Sequence, residues 1–155
     1  FAVSQPAAVF ETSGTTQGSP GRAYLAETDL YDQAAMAAFR HFVLPDRSAA
    51  SLCWLNLVPE PRVRPHSSLG HMVAQLSGAS GEVHWLLDSA LRADARRFAA
   101  LCDHAAVNDL PVLVTATSIA LHAVLTTLPV QWSVRLPAGS AATPRTYSVI
   151  DRSLS

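Results

Sequence analysis

Ser51-Leu52-Cys53-Trp54-Leu55-Asn56-Leu57-Val58-Pro59 is a nearly continuous apolar run closed by a proline. A strand with one face in water alternates apolar and polar residues. A run without alternation, stopped by a turn residue, reads as a strand buried on both faces, as in a parallel sheet covered by helices. The flanking sequence agrees. Upstream, Leu30, Ala34, Ala37, Ala38, His41 and Phe42 recur at i, i+4, i+7, i+8, i+11 and i+12, one face of a helix, with Thr28 or Asp29 placed to cap it. Downstream, Pro59, Pro61 and Pro65 stiffen a loop, and Ser67 is placed to cap a helix with Leu69, Met72, Val73 and Leu76 on its inner side. Ser77-Gly78-Ala79-Ser80-Gly81 stops that helix.

The same rhythm runs through the chain. Residues 7–10 and 83–87 read as strands. Asp88 or Ser89 is then expected to cap a helix with Leu91, Ala95, Phe98, Cys102 and Ala105 on one face. Arg92, Arg96 and Arg97 lie away from that seam. Residues 110–132 form an uncharged stretch of 23 residues, long enough to span a bilayer. Pro111 and Pro129 bracket it, and Thr115, Thr117, Ser118, Thr126 and Thr127 interrupt it. It divides instead into a buried strand at 112–115 and a short buried helix at 119–128 capped by Ser118, so no membrane span is expected. Residues 130–135 and 147–150 read as further strands. Strands alternating with helices imply right-handed βαβ units. The expected fold class is α/β, a three-layer arrangement with a mostly parallel sheet and helices on both faces. One domain covers 1–155, with 138–155 a linker or altered tail. Ligands of such sheets sit at the carboxyl ends of strands, so the loops at 12–18, 59–66 and 115–118 are expected to share one edge.

Composition limits the function classes. The chain of 155 residues is 49% apolar and 15% charged, which favours a packed core over disorder. Eleven Lys and Arg residues, all of them arginine, face 12 acids, so no global positive field favours nucleic acid. Cys53 and Cys102 form no short spacing motif and no secretory signal is visible. A reduced, cytoplasmic setting is the expectation, with no disulfide implied. Cys53 lies inside the apolar run and reads as an inert small hydrophobe rather than a nucleophile. His84 and His122 lie on apolar elements and read as core histidines. His66 and His71 do not share a helix face, and Cys102 and His104 lack a further ligand set, so no metal site is assigned.

One polar stretch carries chemistry: Thr12-Ser13-Gly14-Thr15-Thr16-Gln17-Gly18-Ser19-Pro20-Gly21-Arg22. Glycines let a backbone approach an anion and turn its N–H groups inward, and the hydroxyls add donors that can wrap oxygens. A plain solvent-exposed turn is the alternative. The Gly-Lys-Ser/Thr ending of a Walker loop is missing. Arg22 reads either as a phosphate contact or as an exposed, flexible arginine.

The stretch resembles the Thr-Ser-Gly-Thr-Thr-Gly nucleotide loop of the adenylate-forming enzymes, and within them the LuxE-type acyl-protein synthetases. Pro20-Gly21-Arg22 closes the loop as in that branch. Ser67-Ser68-Leu69 with His71-Met72 is similar to its Ser-Ser-Leu-x-x-Met segment. Leu136-Pro137-Ala138-Gly139-Ser140 is similar to its Leu-Pro-x-Gly-Ser. The resemblance implies a ligase that activates a carboxylic acid, here a fatty acid, with ATP and Mg²⁺ to give acyl-AMP and pyrophosphate. It implies nucleotide binding by Thr12, Ser13, Gly14, Thr15, Thr16 and Gly18, an acyl side bordered by Ser68 and His71, and a reductase or thioesterase as partner protein. Gln17 either replaces the family glycine or is inserted before Gly18. No Thr-Gly-Gly follows Ser140, and no lysine occurs to play the family's catalytic lysine, so no catalytic residue is assigned. The resemblance implies an incomplete N-terminal-domain portion of such an enzyme. The alternative is a degenerate binding or scaffold module that docks with a partner enzyme.

Overall fold

The computed structural model describes residues 5–12, 21–45 and 49–128. Its elements run β1 (Ala8–Glu11), β2 (Arg22–Leu25), α1 (Asp29–Phe42), β3 (Cys53–Leu57), α2 (Ser68–Ser77), β4 (Glu82–Trp85), α3 (Ala95–Val107), β5 (Val112–Ala116) and α4 (Ser118–Thr127). A 3-10 turn at Ala49–Ser51 leads into β3. The unalternating apolar run becomes the middle strand: β3 is buried at every position and pairs in parallel with β4 on one side and β5 on the other. The chain is therefore α/β, with helices following each parallel strand.

Alternate residues of β3 enter two separate core clusters. Cys53, Leu55 and Leu57 join Ala95, Phe98, Cys102 and Ala105 of α3 and Ala120 and Val124 of α4. Trp54 joins Phe39 of α1, Leu44, Leu52, Leu76 of α2 and Leu113 of β5. The Trp54 ring stacks on Phe39 with centroids 5.1 Å apart and planes 15° from parallel. Its indole N–H donates to Thr115 Oγ1 at 2.6 Å, so the polar edge of a buried aromatic is satisfied. Asn56 follows two residues later on the same face. It is fully buried, and neither of its amide atoms has a hydrogen-bond partner among the described residues.

Several local expectations are corrected. β1 does not enter the parallel sheet; it pairs antiparallel with β2, a strand the sequence did not announce. Three of the four β2 residues are exposed, so no apolar run marked it. α1 buries a different stripe from the one expected. Leu30 and Phe42 are 78% and 77% exposed, while Phe39 is buried with Ala35 and Met36 beside it. Both faces are rich in alanine, so periodicity alone did not separate them. α3 starts at Ala95, not after Asp88 or Ser89: Asp94 caps it, accepting from Arg97 N at 2.9 Å. Asp88 instead closes a turn. Its carboxylate accepts from the backbone N–H groups of Arg92 and Ala90 and pairs with the Arg92 side chain, each at 2.9 Å. These contacts, led by the Arg92 backbone N–H, hold its carboxyl below the usual range. α4 is capped by Thr117, not Ser118, and is not a buried helix all round: Ile119 is 79% exposed, and His122 is exposed too. The expected strands at 130–135 and 147–150 and the 138–155 tail lie outside the described residues. No helix among the described residues is long and apolar enough to cross a membrane.

The end of α3 makes a prediction. Leu110 N bonds back to Ala105 O at 2.8 Å, which requires the residue before it to turn left-handed, and exposed Asp109 does so with φ 52°. A non-glycine residue is strained there. Asp109→Gly is expected to raise unfolding free energy by about 1 kcal/mol, read from the urea midpoint; a lower midpoint would mean that the Asp109 side chain stabilises the turn.

Candidate functional site

The mouth of the hydroxyl-rich loop is well defined. Thr12 N donates to Gly21 O, and Gly21 N donates to Thr12 Oγ1, both at 2.9 Å. One step back along the rails, Arg22 Nε donates to Glu11 Oε1 at 2.9 Å. β1 and β2 are thus two antiparallel rails, joined in sequence by residues 13–20. Ser13, Gly14, Thr15, Thr16 and Gly18 lie outside the described residues, and of the loop expected at 12–18 only Thr12 is described. Its oxygen closes the mouth, and Arg22 is paired across the rails with Glu11.

The hairpin is tied to the loop that follows β3. Glu11 N donates to His66 O at 2.9 Å, and His66 Nδ1 lies 3.0 Å from Val9 O. A carbonyl only accepts, so Nδ1 carries the proton. The next residue, Ser67, caps α2 by accepting from Gly70 N at 3.0 Å. Gly70 lets the first turn of α2 press on the chain leaving β3: a Cβ there would lie 2.5 Å from Pro59 O. Hairpin mouth, helix N-terminus and the chain leaving the carboxyl end of β3 therefore meet at one junction. The first turn of a helix presents unpaired N–H groups and partial positive charge.

His71 stands one turn into α2 at this junction. Its Nε2 is 2.8 Å from Asp32 Oδ1 of α1. Its ring packs against Phe10 of β1 at 5.3 Å and Tyr31 of α1 at 6.0 Å between centroids. Tyr31 in turn donates to the carbonyl of Ser68 at 3.3 Å. The His71 and Asp32 side chains are 21% and 23% exposed, shielded yet reachable. Because Asp32 accepts a hydrogen bond from Nε2–H, the imidazole is held in one orientation with Nδ1 left over, an arrangement suited to holding a polar group or moving a proton. His71 and Ser68 were singled out in the sequence; Asp32, Tyr31 and Phe10 were not. They come from two other elements, and only the tertiary fold brings them to His71.

A second polar cluster lies at the opposite, amino end of the sheet. Cys53 of β3 and Glu82 of β4 are cross-strand partners, and His84 follows Glu82 on the same face. Ligand atoms of these three lie within 4.8 Å of one another. The histidines 104 and 84, in that order, hold the Glu82 carboxyl below its usual range. Burial first, then the Glu82 charge, pushes the Cys53 thiol up to about 11, and burial likewise raises Cys102 to about 11. Both are free, protonated thiols and poor nucleophiles. His84 is partly exposed and paired with Glu82, not an apolar-core histidine. Beyond β4, an open groove of about 530 Å³ is lined by Trp85, Leu87, Asp88, Arg92, Asp94 and Arg97 among others.

No family model, curated protein or solved structure matches the chain.

Proposed function

We propose that the chain is part of an ATP-dependent, carboxylate-activating acyl-protein synthetase acting on a fatty acid in the cytoplasm, with a three-layer α/β body carrying the nucleotide loop. The observation that supports this reading most is the junction itself. The strands flanking the hydroxyl- and glycine-rich segment are tied together at Thr12 and Gly21, and β1 is bonded to the chain entering a capped helix N-terminus, with an aspartate-held histidine one turn further in. The composition of the segment fits a polyphosphate: its hydroxyls and glycine N–H groups are neutral donors to charged oxygens.

In this reading Ser13, Thr15, Thr16 and the N–H groups of Gly14 and Gly18 hold the β and γ phosphates, with Mg²⁺ sharing the charge. The acid's carboxylate oxygen attacks the α-phosphorus, giving acyl-AMP with pyrophosphate leaving. The chain's contribution is positioning and charge stabilisation. The first turn of α2 and His71 border the acid, with Asp32 fixing the imidazole and Phe10 and Tyr31 excluding water from its faces. The chain contains no lysine, so the lysine that the resemblance implies is not supplied by it. That absence favours a second reading, a non-catalytic module that docks with a reductase or thioesterase.

Calorimetric titration with Mg-ATP tests the nucleotide assignment. Thr15→Ala with Thr16→Ala removes two donors to charged oxygens, each contributing about 1.5–3 kcal/mol, and is expected to weaken binding at least tenfold. Equal affinity in the double variant would remove the loop from the site. Acid-dependent pyrophosphate release by the chain alone would rule out the non-catalytic reading.

A further inference from the structure

We propose that Cys53, Glu82 and His84, with His104 as the fourth donor, form a zinc site at the amino end of the parallel sheet, away from the hairpin junction. The strand register builds it. Cys53 begins β3 and sits opposite Glu82, the first residue of β4. His84, two residues on, returns to the same face, and α3 packs over that face and brings His104. The three strand donors already lie within 4.8 Å of one another. Glu82 Oε2 is 3.5 Å from His84 Nε2, and Glu82 Oε1 is 3.4 Å from His104 Nε2. These separations are long for hydrogen bonds between such groups. The His84–Glu82 separation is near the edge of a tetrahedron with metal–nitrogen and metal–oxygen bonds of about 2.0–2.2 Å, which is about 3.3–3.6 Å. His104 meets the other Glu82 oxygen and lies outside the close trio, so it joins the ion only after its side chain or the carboxylate turns.

The donor chemistry selects the metal. One thiolate, two imidazoles and one carboxylate suit zinc; magnesium and calcium take oxygen ligands. Cys53 is fully buried and gives the site a fixed floor. The His84 and His104 side chains are partly exposed, so the ion enters from their side. On binding, the sulfur–zinc bond forms as the Cys53 thiol proton leaves to solvent. Zinc would then clasp β3, β4 and α3 and stabilise the folded chain.

The test uses the full chain stripped with a chelator and titrated with Co²⁺, then with Zn²⁺. Expected are saturation near one equivalent, a thiolate-to-cobalt charge-transfer band, its loss when zinc displaces cobalt, and a zinc-dependent rise in melting temperature. His84→Ala changes a partly exposed side chain. It is expected to keep the far-ultraviolet circular dichroism of the parent while binding at least tenfold more weakly. Cys53→Ser should abolish the charge-transfer band, and Cys102→Ser should keep it. Absence of the band in the parent chain, or unchanged affinity in His84→Ala, would overturn the proposal.

Discussion

Trp54→Ala is expected to cost about 3–5 kcal/mol of unfolding free energy, the range for losing a large buried aromatic. Trp54 is 1% exposed in the central strand and is the side chain through which β3 meets α1, α2 and β5 in one cluster. Truncation empties that space, removes the stack on Phe39 and strands the Thr115 hydroxyl, the acceptor of its indole N–H. A domain of this size is stable by only about 5–15 kcal/mol, so the variant should unfold at much lower urea, with a smaller far-ultraviolet signal near physiological temperature. Leu125→Ala, on the outer side of α4 and largely exposed, is the control and should change stability by about 0.5 kcal/mol or less. Similar midpoints for the two variants would mean that the Trp54 cluster does not hold the sheet to α1 and α2.

Gly70→Ala is expected to destabilise although alanine favours helices. Propensity alone would gain about 1 kcal/mol. The new Cβ would lie 2.5 Å from Pro59 O, a backbone atom that cannot swing away, and 3.3 Å from the capping oxygen of Ser67. Relief requires the first turn of α2 to lift from the chain leaving β3. Overpacking of this kind costs about 1–3 kcal/mol, and loss of the Ser67 cap adds about 1 kcal/mol, so the net loss should be about 2 kcal/mol. The displacement also pulls His71 from Asp32. Equilibrium denaturation gives the stability, and the His71 ring resonances report the pair. A stabilised variant would mean that the helix tolerates the shift and that the close approach to Pro59 is not what seats it.

The parts of the fold that were legible are those where burial is continuous or strongly periodic. The run through β3 gave no alternation because both its faces are covered, and all its positions are buried. The α2 face and its Ser67 cap were legible because a serine, a helix-period stripe and a glycine stop agree with one another. In α3 the stripe Ala95, Phe98, Cys102 and Ala105 was correct while the start was not. Asp88 is an equally good turn and cap residue, and only the backbone shows that it closes a turn before Asp94 begins the helix. β2 was hidden because it is exposed and is held by backbone pairing to β1. The His71 cluster was half legible: His71 was named but its partner Asp32 lies 39 residues earlier. The other was not, since Cys53 and His84 read as core residues and Glu82 was not singled out. Cys53, Glu82 and His84 have no motif spacing because cross-strand register assembles them.

The most direct test of the nucleotide site is a Mg-ATP titration of the full chain followed by amide chemical shifts. Changes are expected to concentrate at Thr12, Gly14, Thr15, Thr16, Gly18 and Gly21 and in the first turn of α2, at Ser68 and His71. They should be absent at Arg92, Arg96 and Arg97, and reduced throughout by Thr15→Ala with Thr16→Ala. Shifts confined to the groove around Asp88 and Arg97, or no shifts at millimolar nucleotide, would contradict a phosphate-binding hairpin.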